Sequence, residues 1–338
     1  MSRETRVAMT GATSLLGKEI LGVLKERRFP ASRVVRLEAG EDFPEIPVLD
    51  LDAEALPLAP GEPESERYDL VLLAANPRAG RGKAPHFEQS SEWVIDAVHV
   101  LPEPEGAVLS IPFLDRPNKT SAGNPHYFIS PHTAAIVLDA LLVRLSACFE
   151  LKRVVAQIFN PASELGPEAI DELQKQTVSL LSFQQVPKEI FDAQSAFNLA
   201  PRLGRKARAG FASLELRIRS ELKRMLAGRV PLPSVRLVQV PLFYSLAFSL
   251  YVEAAGPVTA ATAEQALACE QIRVLKSSHG VPSPVEVQGS AEVLVDPVLL
   301  DEEHEGGFWL WAVADNLRVA AENAVAIAES LLAGSEGT

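Results

Sequence analysis

Apolar and polar positions follow two different rhythms along the chain, and the change falls near residue 133. In the first stretch, short apolar runs alternate with helical ones. Arg6-Val7-Ala8-Met9-Thr10 reads as a strand, and Leu16, Ile20, Val23 and Leu24 then recur at helical spacing on a segment ending near Phe29-Pro30. Arg33-Val34-Val35-Arg36-Leu37 is a second strand. Residues 69–75 form an almost unbroken apolar run, the signature of a strand buried on both faces. Trp93-Val94-Ile95-Asp96 and Ala107-Val108-Leu109-Ser110 add two more strands. Strands separated by helical patterns predict a parallel α/β sheet. The Pro- and Glu-rich residues 57–66 read as a surface excursion.

Beyond residue 133 the spacing predicts a helix over 134–147, a strand over 152–156 and helices over 167–181 and 214–226. Strands follow over 235–240 and 245–254, then a helix over 262–267 and a strand over 308–314. The chain closes with an amphipathic helix over 316–332, through Leu317, Ala320, Ala324, Ile327 and Leu331. This half predicts an α+β domain with a mainly antiparallel sheet.

A length of 338 residues suits about two domains. With 32 Lys+Arg against 44 Asp+Glu, the formal net charge is −12, which argues against nucleic-acid and anionic-membrane partners. Two cysteines, Cys148 and Cys269, exclude a disulfide framework and a Cys-based metal site. The start of the chain predicts no signal peptide, and its most apolar stretch, 240–252, is too short to span a bilayer. A cytoplasmic protein is expected.

The first strand runs into Gly11-Ala12-Thr13-Ser14-Leu15-Leu16-Gly17 and then a helix. A strand, a tight glycine turn and a helix N-terminus aim backbone N–H groups and a dipole at a pyrophosphate, the arrangement of a Rossmann-type domain. The middle glycine of the pattern is Ser14, whose side chain limits how closely the backbone approaches a phosphate. A dinucleotide loop and a turn kept only for packing both remain open. Glu38 lies 21 residues past Gly17, where an acid accepts from a ribose 2′-OH and repels a 2′-phosphate. A nicotinamide cofactor, if bound, is therefore expected to be NAD rather than NADP, and to bind weakly.

Further segments carry a resemblance. These are Ala169-Ile170-Asp171-Glu172-Leu173, Ala196-Phe197-Asn198-Leu199-Ala200-Pro201, Val240-Pro241-Leu242-Phe243-Tyr244 and, most specific, residues 310–318, Leu-Trp-Ala-Val-Ala-Asp-Asn-Leu-Arg. With the glycine loop they resemble the aspartate-semialdehyde dehydrogenase family along nearly the whole chain. The resemblance implies a dinucleotide-binding-like domain over 1–132 and a dimerisation (former catalytic) domain over 133–314. A C-terminal helix over 315–338 is implied to return to the first domain.

In that family a cysteine thiolate attacks the aldehyde, a histidine handles the proton, and hydride passes to or from NADP. Here the matching positions differ. Thr133, in Ser130-Pro131-His132-Thr133-Ala134, stands in the cysteine's place, and Asn160 in that of the substrate-orienting glutamine. Gln239 replaces the carboxylate-binding arginine and Leu246 the histidine. A competing alignment through Gly123-Asn124-Pro125-His126-Tyr127 offers no cysteine either, and Glu38-Ala39-Gly40-Glu41-Asp42 replaces a phosphate-binding Ser-Arg pair. The chain resembles the Usg-type, non-catalytic branch: a dimeric (di)nucleotide- or partner-binding protein. An active NAD(P)-dependent dehydrogenase is the alternative. A homodimer is expected through Leu242, Phe243, Leu250, Tyr251 and Val252, and a heterodimer with a true family dehydrogenase stays open.

Among other candidates, both cysteines read as inert packing thiols within helices. The six histidines show no metal-ligand pairing, and residues 301–305 read as a solvated loop, so no metal is expected. Ser163 has no histidine partner nearby in sequence, which argues against a serine hydrolase. Residues 202–224 carry eight Lys or Arg against two Glu. Arg217 falls where the family places a phosphate-binding lysine, making it an anion-site candidate; the competing reading is a solvated helix face.

Overall fold

The computed structural model describes residues 5–37, 58–60, 67–75, 91–99, 103–114, 125–207, 210–276, 278 and 280–335. Two compact units emerge: Met1–Pro131 with Ala320–Thr338, and His132–Val319.

The first unit is a parallel sheet. Its strands are β1 (Thr5–Thr10), β2 (Ala31–Arg36), β3 (Leu58–Pro60), β4 (Tyr68–Leu73), β5 (Ser91–Asp96), β6 (Val108–Leu109) and β7 (Tyr127–Ile129). They lie in the order β3-β2-β1-β4-β5-β7-β6, every pairing parallel. All six residues of β4 are buried, as its unbroken apolar run predicts. Helix α1 (Leu15–Glu26) buries Leu16, Ile20, Val23 and Leu24, the stripe read from the sequence. Strand β1 has β2 on one side and β4 on the other, so the order reverses there. In doubly wound sheets ligands bind at this crevice. Strand β3 falls inside the predicted surface excursion, which therefore contributes an edge strand instead of only a loop.

The second unit starts with α2 (Thr133–Ser146), buried almost all round, and continues with β8 (Leu151–Asn160), a 3₁₀ turn (Ala162–Leu165) and α3 (Pro167–Leu181). Next come α4 (Phe211–Leu226), β9 (Ser234–Gln239), β10 (Leu246–Ala254), α5 (Ala260–Leu267), β11 (Ile272–Val274), β12 (Val293–Val295), β13 (Leu299–Leu300) and β14 (Gly307–Ala314). The strand order is β11-β12-β14-β10-β8-β9, with β13 on β14. The β8–β9 and β11–β12 pairs are parallel and the others antiparallel, so the sheet is mixed.

Helix α6 (Asn316–Ser335) begins in the second unit, and its residues from Ala320 belong to the first. There Asn323 Nδ2 donates to Ser110 O (3.0 Å) and Ser130 Oγ (2.8 Å). Arg27 forms ion pairs with Glu322 and with Glu329, the latter at 2.7 Å. Among the described residues, no helix is long and apolar enough to cross a membrane.

Candidate functional site

The glycine loop is shaped by close packing. Gly11 has φ +69°, and a Cβ there would stand 2.3 Å from Ala75 Cβ; a Cβ on Gly17 would stand 2.0 Å from Gly11 O. Both glycines are thus required for the turn to close. Ser14 is the N-cap of α1: its Oγ accepts from Gly17 N–H (2.9 Å) and donates to Ala74 O (3.0 Å). Position and dipole fit a pyrophosphate, but one first-turn N–H is already bonded within the chain. Ala12 and Leu16 are buried, and Thr13 and Leu15 half-buried. Glu38 and the stretch 38–42 lie outside the described residues, as do Gly123 and Asn124.

Thr133, Asn160, Gln239 and Leu246, the positions that the sequence resemblance aligns with that family's reactive groups, all lie in the second unit. Thr133 opens α2, is 3% exposed, and donates from Oγ1 to Asn316 O (2.7 Å). Asn160, at the end of β8, sits in register with Gln239 at the end of β9. Its Nδ2 donates to Gln239 Oε1 (3.3 Å), while Gln239 Nε2 donates to Val240 O (3.1 Å). Leu246 starts β10, fully buried, opposite Ala314. Its neighbour Ser245 has φ +69°, uncommon for a residue other than glycine, and donates its N–H to Asn316 Oδ1 (3.0 Å). Asn316 therefore ties the Thr133 and Leu246 ends of the site together.

Around this core lies a charged cluster. His132 caps α2 by accepting Ala134 N–H at Nδ1 (3.0 Å), which leaves the ring proton on Nε2, 2.8 Å from Glu164 Oε2. Glu164 Oε1 accepts from Asn316 Nδ2 (2.8 Å). Burial works to raise the Glu164 carboxyl. Its pairing with His132, the amide of Asn316 and the field of Arg217 outweigh burial and hold it below the usual carboxylate range. Ser163 Oγ bonds the Asn316 side chain (3.2 Å to Oδ1). Glu221, 1% exposed, accepts His132 N–H (2.9 Å) and Arg217 Nε–H (2.8 Å).

Several sequence expectations are corrected here. Arg217 is not on a solvated helix face but paired with a buried carboxylate. Ser163 does share a network with a histidine, although its hydroxyl bonds Asn316 rather than His132. Cys148 lies in the turn after α2 and is exposed, and Cys269 lies past α5, half-buried; neither is a packed thiol inside a helix. Among the described residues, no three His, Cys, Asp or Glu side chains are grouped to hold a metal. His132, Glu164, Glu221 and Ser245 escape sequence reading because their partners lie up to 89 residues away for His132 and 71 for Ser245.

The comparisons agree with this scaffold. A profile of the semialdehyde dehydrogenase dimerisation domain matches residues 142–319. The chain is similar to an aspartate-semialdehyde dehydrogenase of Rickettsia bellii, 28% identical over 346 residues, covering 98% of this chain and 99% of the relative. It is equally similar to a USG-1 protein homolog of Pseudomonas aeruginosa, 28% over 348 residues with 98% and 99% covered. The solved structure of a probable aspartate-semialdehyde dehydrogenase from Pseudomonas aeruginosa superposes with a TM-score of 0.83 at 28% identity, covering 98% and 99% of the two chains.

Proposed function

The chain belongs to the semialdehyde dehydrogenase family, and from that premise we propose that it keeps the family's scaffold and dimer but not its reaction. The observation that carries this reading is the state of Thr133. Its hydroxyl donates to a backbone carbonyl, Asn316 O, and neither ring nitrogen of the adjacent His132 is open to act as its base. Leu246 cannot move a proton, and Gln239 lacks the charged fork with which an arginine grips a carboxylate. Its amide is already bonded to Asn160.

The remaining role is binding. The Gly11–Gly17 loop would receive the pyrophosphate of a dinucleotide weakly, since the hydroxyl of Ser14 already holds Gly17 N–H. NAD is favoured over NADP through Glu38 on sequence grounds. The dimer forms through the open face of the second sheet. There Trp309, Tyr251 and Val155 line up across β14, β10 and β8, and the Tyr251 and Trp309 rings lie 4.9 Å apart. Trp309 is 45% and Val155 42% exposed, an apolar row suited to a like row across a two-fold axis. Leu250 and Val252, expected in that interface, are fully buried within the chain and so are replaced in this role by the outward row. The same face could pair with a true family dehydrogenase, giving a heterodimer that regulates it.

The second reading, an active NAD(P)-dependent dehydrogenase, draws on the near full-length similarity to the Rickettsia bellii enzyme. Assay of the purified chain with aspartate semialdehyde, phosphate and each dinucleotide decides between the two.

A further inference from the structure

We propose that Glu164 is the built-in occupant of an anion site at the start of α2, and that the site accepts a small carboxylate or phosphate when this side chain is withdrawn. The inference deepens the reading of this region as a binding site rather than a catalytic one.

Two donors aim at one carboxylate: His132 Nε2 at 2.8 Å from Oε2 and Asn316 Nδ2 at 2.8 Å from Oε1. Neither depends on Glu164 for its orientation. The His132 ring is fixed by the Ala134 N–H on Nδ1, and its backbone N–H by Glu221. Asn316 is fixed by Thr133 Oγ1 on its carbonyl and Ser245 N–H on its Oδ1. The donors come from the starts of α2 and α6, whereas Glu164 comes from the separate 3₁₀ turn Ala162–Leu165. The positive end of the α2 dipole and the guanidinium of Arg217 favour negative charge at the same place. The chain has built an anion receptor from one set of elements and filled it from another.

A second observation points the same way. Ser245 Oγ and Asn160 Oδ1 are both fully buried and have no hydrogen-bond partner among the described residues. Ser245 is bonded through its own N–H to Asn316, so hydrogen-bonding capacity next to the receptor exceeds what the chain supplies. An unpaired buried polar group costs roughly 1–3 kcal/mol.

The test removes the internal carboxylate from the full-length protein. Glu164→Ala is compared with wild type by thermal melting and calorimetric titration, with sodium formate and with inorganic phosphate as probes. We expect both anions to raise the melting temperature of the variant and to bind it at least about ten-fold more tightly than wild type, the equivalent of one charge-assisted hydrogen bond. Rescue by formate alone assigns a planar carboxylate as the ligand, and rescue by both admits a tetrahedral phosphate. Adding His132→Asn, which keeps a good helix cap but is too short to place a donor where His132 Nε2 stands, should abolish the gain. If Glu164→Ala does not fold in plain buffer, recovery of folding in formate or phosphate supports the proposal. A folded variant that binds neither anion better than wild type overturns it. So does a variant that stays unfolded with both, or a gain that survives His132→Asn. Aldehyde turnover by wild type would contradict the loss of the family's reaction and leave this anion rescue standing.

Discussion

At the scale of single residues, the site is defined by what its polar groups are already doing. Thr133, Asn160 and Gln239 each hold an internal hydrogen bond, and Leu246 has none to offer. Groups in one catalytic unit do not add: losing the nucleophile alone can lower the rate by on the order of 10⁶. Thr133→Cys should therefore leave the protein inert, because the new thiol lacks a base and a positioned substrate. The combination Thr133→Cys, Asn160→Gln, Gln239→Arg and Leu246→His should recover a trace of aldehyde oxidation, measurable as NAD(P)H formation. Glu164 gives a separate handle through pH. Its folded carboxyl is held below its unfolded value, so its stabilisation is present above the ordinary carboxylate range and is lost as pH falls through the folded value. Denaturant melts should show wild type more stable than Glu164→Gln at neutral pH, with the gap closing in acid; an equal gap at both would contradict the assignment.

At the scale of elements, helix α3 illustrates what a sequence carries and what it does not. Its limits, Pro167–Leu181, coincide with the residues read from periodicity, because Gly166-Pro167 punctuates the start and a single apolar stripe runs to Leu181. The two polar residues it buries could not be read that way, since their partners lie in the following loop. Glu172 accepts the N–H groups of Glu189, Ile190 and Phe191 at 2.6, 2.7 and 3.0 Å. Gln176 accepts from Ser195 and Ala196 and donates to Pro187 and Ala193. Together they staple that loop to the helix. Glu172→Ala should destabilise the protein by on the order of 3 kcal/mol and open residues 183–207 to limited proteolysis; unchanged melting and digestion would contradict the staple. The same logic explains the short strands that periodicity missed. Strands β7, β11 and β12 have three residues each, too few to show a period of two; β7 forms on the edge of the longer β5, β12 on that of β14, and β11 in turn pairs with β12. The His132–Glu164–Asn316 cluster was equally invisible, its members being separated by 32 and 152 residues.

At the scale of the whole molecule, a Rossmann-like parallel sheet and a semialdehyde dehydrogenase dimerisation domain share one chain, and the proposed dimer and the proposed loss of the family's reaction are testable on it separately. Wild type should sediment as a dimer at micromolar concentration. Trp309→Glu, which puts a like charge on each side of the two-fold, should shift it to monomer, with the lost ring contact to Tyr251 costing the fold only about 1 kcal/mol. Ser14→Gly should strengthen dinucleotide binding by freeing Gly17 N–H, with calorimetry as the readout; tight binding of NADP by wild type would contradict the roles given to Ser14 and Glu38. The most direct test of the central claim is NAD(P)H formation by the purified wild-type chain given aspartate semialdehyde, phosphate and either dinucleotide. The account predicts no turnover above the uncatalysed background. Sustained turnover above about 1 s⁻¹, the lower edge of ordinary enzyme rates, would show that the chain retains the family's chemistry with a nucleophile other than the residue at position 133.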